Sequence, residues 1–297
     1  MTLQEPLSQK LQNLEQVGDI DISHLVIEDD TPVDDFQSEQ QQRLLIEPLH
    51  SSSPLPKPFL AAAHVGLFYE LKEDPIVPDF MLSLGVQRAA DYSLRQNRAY
   101  LIWKLGKLPE VCIEIVSNQE GDELFLSKQS QQKGKTRTKM DIYGDINIPY
   151  YVVFDPLQEI QGKEGMDGAL LRVWKMSDKG YQELTSHKQI INPGESVWLE
   201  EVGIGLMLWY GEFEGNIKRL WLRWCDQEGQ PIPTGAEGAE IHRQRADYIQ
   251  QAEIERQRAE MERQRADTQQ QQAQIERQRA EQLAQKLREM GIDPNQL

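Results

Sequence analysis

Apolar residues are spread unevenly along the chain of 297 residues. Short β-branched and aromatic runs at 65–71, 76–84, 99–103, 111–117, 150–155, 170–176, 204–209 and 219–224 predict strands. Between the fourth and fifth, the segment 133–145 is polar apart from Met140, Ile142 and Tyr143, and predicts a helix ending near Gly144. A strand, a helix and another apolar strand in that order imply one parallel crossover within an otherwise hairpin-rich sheet. The expected fold is therefore α/β with a mixed sheet, carried by residues 57–225.

The two ends have a different texture. Residues 1–56 read as an acidic arm, partly disordered or helical, with Glu28, Asp29, Asp30, Asp34 and Asp35 clustered in it. Leu7, Leu11 and Leu14 have helical spacing there, as do Leu44, Leu45 and Leu49. Residues 226–240 are a linker by their proline and glycine content. Residues 241–290 then repeat an Arg-Gln-Arg-Ala unit led by His242 and then by Glu255, Glu262 and Glu276, starts that are nearly whole heptads apart. Glu, Arg, Gln and Ala are strong helix formers, so a long C-terminal α-helix is expected. A coiled coil is a weaker expectation. Ala252, Ala259, Ala266, Ala273, Ala280 and Leu287 keep a seven-residue seam, but the second seam is Glu255, Glu262, Gln269 and Glu276 until Leu283 and Met290. Self-association is thus expected to be weak, or to run through the C-terminal end of the helix. Gly291 stops it, and 291–297 form a tail.

Charge narrows the function classes. Forty-eight acidic against thirty-two basic residues leave a net of -16, whereas nucleic-acid binders usually neutralise phosphates with a basic surface. DNA binding therefore needs a local basic patch or a metal ion. The one basic stretch in the main domain is Lys128, Lys133, Lys135, Arg137 and Lys139. A charge run of this kind is also what an ordinary solvated loop carries. No run of about eighteen apolar residues is present, so no membrane span is expected. The opening Met1–Pro6 lacks basic and apolar regions, so a cytoplasmic chain is expected. Cys112 and Cys225 alone make neither a disulfide framework nor a zinc site, and five scattered histidines lack ligand spacing.

Two carboxylates stand out. Glu114 sits inside Val111-Cys112-Ile113-Glu114-Ile115-Val116, which otherwise reads as a buried strand, and Asp79 sits inside Ile76-Val77-Pro78-Asp79-Phe80-Met81-Leu82. An ionised carboxylate in such a run is costly unless paired or bound to a cation. Each also has a plain reading, a solvent-facing strand-end Glu and a Pro-Asp turn. Pro78 removes a ladder hydrogen bond, so its strand is an edge or begins there. On neighbouring strands the two acids suit a hard cation such as Mg²⁺. Other motifs fail: Gly134-Lys135-Thr136 lacks the glycine of a phosphate loop at Gln129, and Gly203-Ile204-Gly205 lacks the third glycine of a dinucleotide site. Trp198, Trp209, Trp221 and Trp224 read as core rather than as a base-stacking platform.

The order Pro78-Asp79, Glu114-Ile115-Val116-Ser117, Lys139-x-x-x-Tyr143, then Ile148-Pro149-Tyr150-Tyr151-Val152-Val153-Phe154-Asp155-Pro156 resembles a bacterial restriction-endonuclease family, a domain-of-unknown-function branch of the PD-(D/E)XK nucleases. Trp221-Leu222-Arg223-Trp224-Cys225, the Glu-Arg-Gln-Arg repeats and Gly291-Ile292-Asp293-Pro294 resemble its tailed subgroup, so the likeness spans about 59–297. The resemblance implies a restriction-endonuclease-like core and a Mg²⁺- or Mn²⁺-dependent endonuclease acting on DNA. It implies Asp79 and Glu114 as metal ligands, with the Ile115 carbonyl as a further one. The metal would polarise the scissile phosphate and acidify the attacking water. The lysine usually found two residues after the glutamate is replaced by Val116, and Lys139 fits the branch in which it moves to the next helix. Lys128, Lys133 and Lys135 are rivals, and an upstream helical glutamate would be Glu39 or Glu47. The competing expectations are a nuclease-fold protein that acts as a scaffold through its helical tail, and a metal-dependent hydrolase of nucleotides or RNA. A homo-oligomer formed through the C-terminal helix is expected in either case.

Overall fold

The structure is a computed structural model that describes residues 35–119, 122–185, 191, 194–215 and 218–291. The expected helix around Leu7, Leu11 and Leu14, the acidic cluster at 28–34 and the end of the tail lie outside the described residues. The chain divides into two compact units that meet at Gly235.

The first unit is built on a six-stranded mixed sheet. Its strands are β1 (Phe59–Ala62), β3 (Phe80–Leu84), β5 (Val111–Ile115), β6 (Tyr150–Phe154), β7 (Leu171–Ser177) and β8 (Gly180–Glu183), side by side in that order. Only β5 and β6 are parallel. Their crossover carries two short helices, α3 (Lys128–Gln132) and α4 (Lys139–Asp145). A small parallel pair, β2 (Leu67–Phe68) and β4 (Tyr100–Leu101), leads into α2 (Ile102–Leu105). A second antiparallel sheet consists of β9 (Ser196–Leu199), β10 (Ile204–Glu212) and β11 (Lys218–Cys225).

Alternation along the strands splits the interior into two cores. Val111, Ile113 and Ile115 join Phe80, Leu82, Val152 and Phe154 on one face. That face is covered by the second sheet and by α1 (Phe36–Ser51), through Leu45, Leu49, Leu206, Leu222 and Trp224. Cys112 and Val116 join Met81, Tyr151 and Val153 on the other face, under Tyr143 of α4. Glu114 belongs by parity to this second face. α4 is thus the lid of the core that holds the only acid inside β5.

Several boundaries differ from expectation. Residues 35–56 are not a solvated arm. Asp35 caps α1 by accepting from Gln37 N–H (2.7 Å) and Ser38 N–H (2.9 Å), and Leu44, Leu45 and Leu49 are buried. Gln41 reaches β11, donating to the Leu222 carbonyl (2.7 Å) and accepting its N–H (3.0 Å), so the helix satisfies a sheet edge. The expected linker is structured too. Asp226 N–H donates to Gln230 and Ile232 N–H to Trp224, folding the chain back on β11. The long helix α5 (Gly235–Glu289) then starts six residues before the expected 241. The stretch 99–103 is half strand and half α2, and the crossover helix shrinks to α4 because Thr138 caps it.

α5 runs for 55 residues, and none of its side chains is buried. Along its length it carries local pairs one turn apart, such as Gln257 to Glu253 (3.3 Å) and Arg256 to Glu260 (3.7 Å). Among the described residues no helix is long and apolar enough to cross a membrane.

Candidate functional site

Strand register brings the two acids together. Phe80 pairs with Ile113 in the antiparallel ladder, so Asp79, one residue before β3, lies beside Glu114 on the same face. Asp79 Oδ2 accepts the Ile115 N–H at 2.6 Å, which anchors it to the strand that carries Glu114. Ile115 thus enters the cluster by its backbone N–H. Asp79 Oδ1 faces His64 Nε2 at 3.5 Å. His64 has a positive φ of 52°, a left-handed conformation uncommon for histidine, and nothing in the flanking sequence marks it.

Glu114 is fully buried, and both its oxygens are engaged. Oε2 accepts from Lys139 Nζ at 2.5 Å, and Oε1 accepts from the Tyr143 hydroxyl at 2.8 Å. Both donors come from one face of α4, four residues apart, as the Lys-x-x-x-Tyr spacing requires. A capping box fixes the start of that helix. Thr138 Oγ1 accepts the Asp141 N–H (3.0 Å), and Asp141 Oδ2 accepts the Thr138 N–H (2.9 Å).

A third acid completes the group. The carbonyls of Asp122 and Glu123 accept the N–H groups of Lys139 (2.8 Å) and Met140 (3.1 Å), and the Tyr151 hydroxyl donates to the Glu123 carbonyl (3.0 Å). Glu123 is thereby tied to the first turn of α4. Its Oε2 is buried and has no hydrogen-bond partner among the described residues. Sequence reading missed Glu123, because it follows a polar loop with no period to mark it.

The charges act on one another. Burial is the main cause that pushes the Glu114 carboxyl up to about 8; Lys139 opposes the shift, and Asp79 and Glu123 add to it. Glu123 is also raised, by burial first, with Lys139 opposing and Asp79 adding. Burial works against the Lys139 ammonium, but Glu114, Asp79 and Glu123 outweigh it and hold its pKa above the ordinary lysine value. Three carboxylates therefore share one lysine. Once ionised, they carry a surplus of negative charge which, with an orphaned buried oxygen among them, fits a hard divalent cation. The oxygens of Asp79 and Glu114 are already engaged, so such an ion would have to share or displace their present partners, and Ile115 meets the cluster through its N–H rather than its carbonyl. Among the described residues no three His, Cys, Asp or Glu side chains are gathered into a metal cage, so water or substrate oxygens would have to fill the remaining positions.

The rivals fall elsewhere. Lys135 pairs with Asp122, Arg137 pairs with Asp145, and Lys128 and Lys133 are exposed. With Lys139 held by Glu114, at least three of the five basic residues are already matched to acids. Glu39 pairs with Arg43 at 2.7 Å, and Glu47 accepts the Gly235 N–H at 2.8 Å. Both sit on α1, across the sheet from Glu114. Asp155 is buried and anchors a turn, accepting the N–H groups of Glu159 (2.9 Å) and Ile160 (3.0 Å). Trp221 and Trp224 are buried, and Trp209 is covered by the Arg223 guanidinium 4.6 Å from its ring centre. No protein-family model matches the chain, and no curated protein matches it.

Proposed function

We propose that the chain is a Mg²⁺- or Mn²⁺-dependent endonuclease that hydrolyses phosphodiester bonds in DNA, on a restriction-endonuclease-like core. The observation that carries this reading is the fully buried Glu114 bonded to both Lys139 and Tyr143, with Asp79 fastened to the next residue. A purely structural ion pair leaves no reason for two further carboxylates around the same ammonium.

Asp79 and Glu114 would hold the ion, which when bound supplies positive charge to a phosphate oxygen and acidifies a water. Lys139 orients that water and offsets charge that grows on the phosphate. Tyr143 keeps Glu114 turned toward Lys139 and away from the apolar core. Lys128, exposed on the same crossover, would meet a phosphate backbone.

Plasmid nicking tests the reading. Mg²⁺ or Mn²⁺ is expected to support nicking, and Asp79→Ala and Glu114→Ala are each expected to abolish it. Intact plasmid at high protein concentration with every divalent ion tried would sink the enzyme and favour a second reading, a scaffold on a nuclease-like fold. That reading draws on α5, whose 55 residues bury nothing of their own.

A further inference from the structure

Lys139 and a divalent cation compete for the same oxygen. Lys139 Nζ occupies Glu114 Oε2, and the other Glu114 oxygen is held by Tyr143. An ion that takes Glu114 Oε2 puts a second positive charge on that carboxylate and drives the ammonium off it; the Lys139 side chain is 28% exposed, so without a new carboxylate it would turn to water and leave the site. The displaced charge needs an acceptor within reach of the first turn of α4.

One is present. Glu123 is tied to the backbone of that turn through Lys139 and Met140 N–H, and is braced from the sheet by Tyr151. Its Oε2 is buried and unpartnered among the described residues, an expensive arrangement unless a donor arrives in some state of the protein. We propose that Glu123 is the alternate partner of Lys139: it receives the ammonium when a divalent cation binds Glu114 and Asp79, and so positions Lys139 for the water. The inference rests on the metal-dependent reading above.

Glu123 is a positioning residue in this scheme, acting through Lys139. The experiment is a double-mutant cycle read by Mn²⁺ binding to the full chain, by calorimetry or the spin resonance of free Mn²⁺. Glu123→Gln keeps the shape of the side chain and is expected to weaken Mn²⁺ by about tenfold to a hundredfold, the range for outer-shell partners. The unfolding midpoint of the metal-free protein should move far less than the metal affinity, since Oε2 has no hydrogen bond to lose there and only its charge interactions with Lys139 and Asp79 change. In a Lys139→Gln background, Glu123→Gln should lose most of its effect, because no ammonium remains to be received. Unchanged affinity in Glu123→Gln overturns the proposal and leaves the metal reading intact. The same loss with and without Lys139 also overturns it, by making Glu123 a direct ligand. If Lys139→Gln does not fold, the Glu123→Gln affinity decides alone. A wild-type chain that binds no Mn²⁺ overturns this proposal together with the reading beneath it.

Discussion

At the scale of single residues, Glu114 links burial to pH. Its carboxyl moves from the ordinary 4.5 to about 8, first because burial disfavours the charged form. Between those values the folded chain holds a proton that the unfolded chain has lost. Stability is therefore expected to fall as pH rises through that window, by at most about 1.4 kcal/mol per pH unit, and to level above about 8. Lys139 adds no slope there, because its own raised pKa lies above the lysine range. Glu114→Gln cannot ionise and should flatten the curve. Urea unfolding of both proteins at half-unit pH steps checks this, and parallel curves would remove Glu114 as the source. On the proposed metal-dependent reading, the same proton would make cation binding pH-dependent in the opposite sense. Affinity for Mg²⁺ should increase toward about pH 8, because the carboxylate must be ionised to ligate.

At the scale of elements, the site is an acid-bearing strand held under a very short helix. α4 has seven residues, too few to persist alone, so its cap and the carbonyls of Asp122 and Glu123 carry much of its order. Thr138→Ala is expected to cost about 1 kcal/mol, seen as a shift in the denaturant midpoint, and, on the proposed reading, to lower metal-dependent nicking by loosening Lys139. Leu45→Ala in α1 should cost about 2–5 kcal/mol, because this helix is core. A cost near zero would return residues 35–51 to the status of a detachable arm. Strands β5 and β6 were legible from β-branched runs, and so was their parallel pairing from the polar helix between them. Glu114 was legible as a charge out of place, whereas Lys139 was singled out by the family resemblance, and its spacing of four from Tyr143 only put the two on one helix face. The helical spacing of Leu44, Leu45 and Leu49 in α1 was legible, but its place in the core was not, because its outward face is Gln and Glu and its buried face also carries Ser38, Gln41 and Gln42. β1, β8 and β9 were missed because each is only four residues long, too short for alternation to show. Glu123 and His64 gained their places from tertiary contacts between loops, which carry no local pattern.

At the scale of the whole molecule, the acidity is not spread evenly. α5 carries ten Lys and Arg against eleven Asp and Glu, so almost all of the -16 lies outside it. Its surface is a near-neutral lattice of Arg and Glu, where a second copy meets as much opposite as like charge. The apolar content of its heptad seam is alanine from 252 to 280, which buries little area, and turns to Leu283, Leu287 and Met290 only at the end. Leu283 and Met290 are among the exposed large apolar side chains. Association through α5 should therefore be weak and governed by its last two turns. Light scattering should find the full chain moving from 34.3 kDa toward twice that mass as concentration rises. A chain ending at Gly235, which keeps both cores of the first unit, should remain a monomer throughout. Leu283→Glu with Leu287→Glu should behave as the truncation does, because two charges placed in the only apolar part of the seam meet their copies across it. If the double variant still dimerises while the truncation does not, the alanine and Arg-Glu repeats are the contact. If the truncation dimerises as well, the interface belongs to the first unit.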